Sequence, residues 1–148
     1  MKLLRTNSTN PEFRELVGRL DADLAERDGE EHAFYHQYNG LEGLDRAVVY
    51  YLEGQAVGCG ALKVFDPNAV EIKRMFTDPE YRGKGIAAGV LKELELWAAA
   101  DGFTRMVLET GLRNPEAIGL YEKYGYRRIP NFEPYVGVAN SVCFEKRL

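Results

Sequence analysis

Residues suited to binding a phosphate group are concentrated in one short segment, Arg82-Gly83-Lys84-Gly85. The two glycines let the backbone approach a ligand closely, and the arginine and lysine add positive charge. Ile86, Val90 and Leu94 follow at helical spacing, so a helix is predicted to begin at this turn. Unpaired amides and the helix dipole meet at such an N-terminus, which suits a pyrophosphate. The turn alone is also typical of an ordinary strand-to-helix connection with solvated charges.

The same glycines match a dinucleotide-binding fingerprint, through the spacing Gly83-x-Gly85-x-x-Ala88. That fingerprint requires a strand that leads directly into the glycines and belongs to a parallel sheet. Here the polar loop DPEYR intervenes, and three successive antiparallel strands are predicted before it. The context therefore excludes the dinucleotide interpretation.

The elements that must position this turn are predicted from periodicity and from helix-start residues. Apolar and β-branched segments predict seven strands, at 2–5, 47–53, 56–65, 70–76, 105–110, 126–129 and 141–146. The Asn-Pro pairs at 10–11 and 114–115 predict helix starts, because asparagine caps free amides and proline is tolerated in the first turn. These helices run to about 25 and 124, and a third covers 85–100. The order favours an α+β or mixed α/β fold around one sheet.

Two local details depend on weaker patterns. Residues 26–46 lose the helical periodicity and are interpreted as an irregular connection. In the strand 70–76, simple alternation predicts two opposite faces. One face would carry Val70, Ile72 and Phe76, and the other Glu71, Lys73 and Met75.

The composition limits the class of protein. A chain of 148 residues fits a single domain, 1–148, and its net charge of −4 argues against a nucleic-acid partner. Cys59 and Cys143 lie far apart with no CxxC pair, and we interpret both as reduced thiols. The N-terminus turns polar after four residues, and no apolar run approaches the ~20 residues of a membrane helix. We therefore expect a cytoplasmic protein with no membrane partner.

Residues 71–126 resemble the core of the GCN5-related N-acetyltransferase (GNAT) superfamily. Arg82-x-x-Gly85-x-Ala87 fits the pyrophosphate signature of that family, R/Q-x-x-G-x-G/A. Asn114 followed by AIGLYEKYGY, which ends at Tyr126, is similar to its second motif. The preceding strands and first helix follow the family's order, so the resemblance covers nearly the whole chain. Within the superfamily, the sequence is similar to a bacterial branch.

The resemblance implies a mostly antiparallel sheet of six to seven strands with about four flanking helices. Its central strands, here 70–76 and 105–110, would splay apart into a cleft for acetyl-CoA as co-substrate, and no metal is expected. Backbone groups of Met75, Phe76 and Thr77 would hold the pantetheine arm, and Asn114 would contact it or simply cap its helix. The pyrophosphate would be bound by the residues of the glycine turn and the first helical turn: Arg82, Gly83, Lys84, Gly85, Ile86 and Ala87.

For the chemistry, the resemblance assigns Tyr121 as the general acid that protonates the departing thiolate, whereas the alternative is a core aromatic. A base must first deprotonate an ammonium whose pKa is near 10. Glu109 precedes Tyr121 by 12 positions, as in ribosomal-protein N-terminal acetyltransferases. Glu71 lies near the position of the glutamate in histone acetyltransferases, offset by two residues. A water chain, served by His32 or His36, stays open as the third alternative.

The acceptor is expected on the opposite side of the cleft, and the aromatic content of segments 26–46 and 130–140 suggests a pocket for an amine. Its candidate residues are Tyr35, Tyr38, Phe132 and Tyr135. The predicted activity is transfer of acetyl from acetyl-CoA to a primary amine of a small molecule or amino acid. The alternatives are an N-terminal protein acetyltransferase and a non-catalytic acetyl-CoA-binding regulator. Exposed aromatics would also be consistent with a homodimer interface.

Overall fold

A computed structural model describes residues 1–38 and 40–148 of the chain. Among these residues, the strands are β1 (Lys2–Thr6), β2 (Arg46–Leu52), β3 (Gln55–Asp66), β4 (Ala69–Thr77), β5 (Arg105–Gly111), β6 (Arg127–Ile129) and β7 (Ser141–Arg147). The α-helices are α1 (Pro11–Asp28), α2 (His32–His36), α3 (Ile86–Ala100) and α4 (Pro115–Lys123). Short 3-10 turns cover Gly29–Glu31 and Pro79–Tyr81. The predicted mixed α/β class and all the predicted strands are confirmed.

Within the described residues, the strands form one seven-stranded sheet in the order β1-β2-β3-β4-β5-β7-β6. Every neighbouring pair is antiparallel except β4 and β5, which are parallel and pair only at Ala69–Glu71 with Arg105–Val107. No backbone pairs join the two strands beyond Glu71 and Val107, which shows that the strands separate there. The predicted splay of the central strands is therefore confirmed.

The helices cover the two faces of the sheet through apolar stripes at helical spacing. On one face, Phe13, Leu16 and Leu20 of α1 pack on inward side chains of β2 and β3. On the other face, α3 and α4 cover a larger core that includes Val90 and Leu94. Burial of these side chains stabilises the fold by roughly 1.5–3 kcal/mol for each large residue. Both layers hold β4 and the glycine turn after it in place.

A β-bulge in β4 overturns the simple alternation expected for that strand. Arg74 has a left-handed φ of 59°, and the pairing with β3 skips between Lys73 and Phe76. Because a bulge inserts an extra residue, the side chains after it exchange faces. Met75 therefore packs on the α3 side and Phe76 on the α1 side. The expectation that Phe76 shares a face with Val70 and Ile72 was wrong.

The guanidinium of Arg74 reaches back from this bulge to α1. Its side chain is only 1% exposed and is paired with Asp21. It also donates to the backbone oxygen of Val17 at 3.2 Å. A buried cation thus ties the bulge to the helix that covers it.

The segment 26–46 is more regular than expected, because α1 continues to Asp28 and is followed by a 3-10 turn and α2. Arg113 donates to Glu31 at 2.6 Å, and Tyr35 of α2 is buried against the loop before β7. These contacts come from residues far away in the sequence, so local periodicity does not report them. Cys59 and Cys143 are both buried free thiols. In the part of the chain that the structure describes, no helix is long and apolar enough to cross a membrane.

Candidate active site

The separation of β4 from β5 opens a cleft through the middle of the sheet. On the side of α3 and α4, the described residues enclose a cavity of about 480 Å³. On the side of α1 and α2, a smaller chamber of about 130 Å³ adjoins it. Met75, Asn114 and Tyr121 line both, so the two spaces meet between the strand ends and α4.

The large cavity ends at the N-terminus of α3, which differs from the other long helices in its capping. Asn10 and Asn114 accept hydrogen bonds from the first amides of α1 and α4. Gly85 at the start of α3 provides no such side chain. The first amides of a helix have no partner inside the helix, so those of α3 are left for an external acceptor. An anion would satisfy both these amides and the helix dipole.

Backbone geometry explains the glycines of this turn. Gly83 and Gly85 have φ of 78° and 79°, a left-handed conformation that other residues adopt at a cost of roughly 1–2 kcal/mol. A Cβ at either position would meet nothing within 4 Å. The glycines are therefore required by the path of the chain and not by crowding.

The structure brings nine of the ten residues predicted to bind the co-substrate to the lining of the large cavity. They are Met75, Phe76, Thr77, Arg82, Gly83, Gly85, Ile86, Ala87 and Asn114. Lys84 is the one that does not line it, since its ammonium lies over the Tyr81 ring at 5.5 Å. Asn114 caps α4 by accepting from the Ala117 amide at 3.3 Å. Its predicted contact with pantetheine stays a prediction.

Arg27, which sequence reasoning did not select, joins α1 to α4 beside the cleft. It donates to both carboxylate oxygens of Glu116, at 2.7 and 3.1 Å, and to Asp23 at 3.1 Å. Arg27 lines the large cavity and the small chamber alike. Its charge is therefore already satisfied by carboxylates before any ligand enters.

Glu109 lines the small chamber from the end of β5. Burial raises the pKa of its carboxyl to about 7, while the hydrogen bond from Ser141 and the charge of Lys73 act in the opposite direction. The hydroxyl of Ser141 donates to Oε2 of Glu109 at 2.8 Å. Oε1 accepts no hydrogen bond from the described residues and is left for a ligand. A carboxyl group with this pKa can exchange a proton at neutral pH.

Tyr121 occupies the junction of the two spaces on α4. Its ring is buried and packs edge-on against Tyr126, with centroids 5.5 Å apart. Burial raises the pKa of its phenol far above the usual range, so the proton stays on the oxygen at neutral pH. Its hydroxyl has no hydrogen-bond partner among the described residues. A tyrosine that stays protonated at neutral pH thus lines both cavities.

Glu71 also lines the small chamber, but it already has a partner. Its Oε2 lies 3.5 Å from the ammonium of Lys73, which also donates to the backbone oxygen of Tyr38 at 3.1 Å. Burial raises the pKa of Glu71, and Lys73 counteracts that effect. Of the two candidate bases, Glu71 is therefore paired with the cation of β4, whereas Glu109 forms no ion pair with the described residues. His32 and His36 line none of the cavities described here; their rings contact each other at 5.2 Å.

The four aromatic residues predicted at the acceptor side have different positions. Tyr35 and Tyr135 are buried and line the small chamber. Tyr38 and Tyr135 line a third space of about 690 Å³, a vestibule that shares Glu71 and Lys73 with the chamber. Phe132 lines neither space and packs on Phe65 and Tyr135. Tyr135 thus stands between the vestibule and the chamber.

Ser141 and Lys73 are functional candidates that sequence reasoning missed. Ser141 is 32 positions from Glu109, and only the antiparallel register of β5 and β7 brings the two together. Lys73 was assigned to a face without a role. A polar residue directly before the apolar run Val142–Phe144 was the available signal for Ser141, but strand pairing could not be known in advance.

A family profile and two relatives of known sequence all identify acetyltransferases as the proteins that this chain resembles. The profile of the Acetyltransferase (GNAT) family matches residues 9–126. An IAA acetyltransferase of Azospirillum brasilense is 36% identical over 104 residues, which cover 70% of this chain and 68% of that protein. An uncharacterized N-acetyltransferase of Bacillus subtilis is 38% identical over 96 residues. That second match covers 64% of this chain and 64% of the relative, so the chain spans just under two thirds of its length.

Solved structures share the whole architecture. A presumed acyl-CoA N-acyltransferase of Klebsiella pneumoniae superposes with a TM-score of 0.82 and 30% identity, over 99% of this chain and 97% of that chain. A GNAT family acetyltransferase of Elizabethkingia anophelis with acetyl-CoA bound gives a TM-score of 0.69, over 99% and 97%. At 19% identity the second likeness concerns the fold alone.

Proposed function

The chain belongs to the GNAT acetyltransferase family, and from that premise we propose that it transfers acetyl from acetyl-CoA to a primary amine of a small molecule or amino acid. The acceptor would attack directly in a ternary complex. One observation carries the proposal: a cavity that starts at the uncapped amides of α3 meets, at Tyr121, a chamber that contains Glu109. In this proposal the cleft contains, in order, an anion site, a proton donor and a base.

The residues present fit acetyl-CoA at the donor side. The free amides of α3 and the side chain of Arg82 would bind the pyrophosphate. The end of β4, which has left β5, would pair its backbone with the pantetheine arm in the manner of an added strand. An amide of Met75, Phe76 or Thr77 would then stabilise the negative charge that develops on the thioester oxygen.

The reaction requires the acceptor ammonium to lose a proton and the departing sulfur to gain one. Glu109 takes a proton from the acceptor ammonium, and the neutral nitrogen attacks the acetyl carbonyl carbon. Tyr121 gives its proton to the sulfur as the carbon–sulfur bond breaks, and it regains a proton from the nitrogen of the new amide. The net products are the acetylated amine, free coenzyme A and the proton on Glu109, which returns to water.

The size of the chamber supports a narrow acceptor. A space of about 130 Å³ accommodates an amine and a few carbon atoms, whereas the rest of the acceptor would occupy the vestibule. The vestibule of about 690 Å³ also favours a second candidate, an N-terminal protein acetyltransferase whose peptide would enter from that side. The two candidates require the same chemistry and differ only in the ligand of the vestibule.

Release of free thiol from acetyl-CoA across a panel of amines, amino acids and peptide N-termini tests the proposal. We expect turnover on small amines that exceeds turnover on peptides, together with saturable acetyl-CoA binding in calorimetry. Turnover on peptides alone would favour the second candidate. Acetyl-CoA binding without turnover on any acceptor class would contradict both and favour a regulatory module.

A further inference from the structure

A chain of hydrogen bonds runs behind Glu109, away from the chamber. Ser141 donates to Oε2 of Glu109 at 2.8 Å. The hydroxyls of Tyr35 and Ser141 lie 3.0 Å apart, and the amide of Asn140 donates to Tyr35 at 3.2 Å. Tyr35, Asn140 and Ser141 are 6%, 9% and 3% exposed, so water has little access to the chain. The acceptor chemistry described above uses none of these three residues.

The direction of the chain follows from the inventory of donors. Asn140 supplies its hydrogen to Tyr35, so the Tyr35 hydroxyl accepts there and donates onward to Ser141. Ser141 then has its own hydrogen free for the carboxylate. A neutral Glu109 with its proton on Oε1 could still accept from Ser141, but a carboxylate accepts the same hydrogen bond more strongly. The hydrogen bond from Ser141 therefore favours the ionised form of Glu109 and lowers its pKa against the effect of burial.

The hydrogen-bond chain ends at Asn140, which prevents it from carrying a proton to solvent. The amide of Asn140 has no proton that it could release at ordinary pH, so the chain does not connect Glu109 to solvent. It is therefore an orienting support and not a route for the proton. The proton on Glu109 must leave through the chamber, where Oε1 is not held by the described residues.

We propose that Ser141 and Tyr35 are positioning residues that favour the ionised form of Glu109 and turn its free oxygen toward the acceptor amine. The inference rests on the proposed function, because it concerns the base of that reaction. It assigns a role in the reaction to α2, since Tyr35 links that short helix to the end of β5 through Ser141. A shift of α2 would thereby alter the proton affinity of the base.

Other groups also act on Glu109 and must be kept constant in the test. Besides Tyr35 of α2, charged and titratable groups line the chamber from every surrounding element: Arg27 and Asp28 of α1, Glu71, Lys73 and Arg74 of β4, Arg113 after β5, Tyr121 of α4, and Tyr135 in the loop before β7. The thiol of Cys143 in β7 lies outside the lining but interacts electrostatically with Glu109. None of them changes in the variants chosen below except Tyr135, which serves as the control.

The experiment is a titration of Glu109 by NMR of ¹³C-labelled glutamate, with the signal assigned from Glu109→Gln. Wild type is compared with Ser141→Ala, Ser141→Cys and Tyr35→Phe. We expect Ser141→Ala to raise the midpoint of Glu109 by about one pH unit or more, the effect of losing one hydrogen bond to a charged group. Tyr35→Phe should shift it less in the same direction. The acid limb of kcat/KM should move with the NMR midpoint.

Tyr135→Phe is the matched control, because it removes a hydroxyl from the same aromatic cluster but not from the chain. Its NMR midpoint should equal that of wild type, whatever its KM. Ser141→Cys changes a single atom of the side chain and replaces a strong donor by a weak one, so it tests the positioning role if the alanine variant does not fold.

Two failures are distinguishable. An unchanged Glu109 midpoint in folded Ser141→Cys and Tyr35→Phe would overturn the positioning role. A Glu109→Gln enzyme that retains turnover and the acid limb of kcat/KM would instead refute Glu109 as the base, independently of the NMR result. A shifted NMR midpoint together with a shifted acid limb supports both.

Discussion

Replacement of Glu109 by glutamine should stabilise the protein while removing activity. Burial raises the pKa of this carboxyl from 4.5 to about 7, so the folded state disfavours its charged form. At ~1.4 kcal/mol for each pH unit, the difference between 4.5 and about 7 corresponds to about 3 kcal/mol. Glutamine keeps the shape and an acceptor oxygen for Ser141, but it carries no charge that burial would penalise.

The pH window follows from the direction of this change. Below the unfolded value of 4.5, the carboxyl is protonated in both states and contributes no difference. As the pH rises from 4.5 to about 7, the unfolded chain ionises first, so the free energy of unfolding of wild type falls. Above about 7 both states are ionised and the loss is complete. The free energy of unfolding of Glu109→Gln should therefore match that of wild type near pH 4.5 and exceed it by about 3 kcal/mol at about pH 8.

Urea unfolding followed by the fluorescence of Trp97, the single tryptophan, measures this difference at a series of pH values. Glu116→Gln is the control of opposite sign, because its bond to Arg27 lowers the pKa of Glu116 to about 2. That carboxylate is 57% exposed, so its loss should destabilise by less than about 1 kcal/mol at neutral pH and by less at acid pH. A Glu109→Gln curve that stays parallel to wild type over the whole range would refute the reasoning.

Three further predictions concern the donor site, the acid and the bulge. Tyr121→Phe should lower kcat by about 10- to 100-fold and leave the acetyl-CoA Kd unchanged. If the chemical step is rate-limiting, an unchanged kcat would show that Tyr121 is not part of the mechanism. Arg82→Glu should weaken acetyl-CoA binding in calorimetry by about 10-fold or more. Lys84→Glu should weaken it by less, because Lys84 does not line the cavity. Equal losses of affinity in the two variants would contradict that placement. Asp21→Asn leaves the Arg74 guanidinium buried and unpaired, so urea unfolding should show a loss of about 3 to 5 kcal/mol. Arg74→Met should lose less, since Asp21 is 32% exposed and can be hydrated, and the reverse order would contradict this account.

Elements that depend on local chemistry could be predicted from the sequence. The Asn-Pro pairs do start α1 and α4, with both asparagine side chains acting as caps. Gly83 and Gly85 do form the turn that leads into α3, where the structure shows both in the left-handed conformation. The strand boundaries agree within one or two residues, because alternation and turn residues lie next to each other in the chain.

Elements that depend on distant contacts could not be predicted. The α2 helix lies in a segment without apolar periodicity, and contacts such as those of Tyr35 with Ser141 and Asn140 hold it. The bulge at Arg74 is accompanied by an ion pair between this buried arginine and Asp21, 53 positions away. Local patterns contain no information on either contact, so the faces of Met75 and Phe76 were assigned wrongly.

The sequence by itself determined the features to which the proposal assigns acetyl-CoA: the glycine turn, the helix behind it and the motif around Asn114 and Tyr121. Those features are set by backbone conformation and hydrogen-bond capacity within a few residues. Only the tertiary structure distinguished the surroundings of the two carboxylates considered as the base. Glu71 and Glu109 look alike in the sequence, but the fold pairs the first with Lys73 and places the second, with Ser141 behind it, in a buried chamber. Desolvation and strand register are properties of the packed sheet, and no short stretch of the chain contains them.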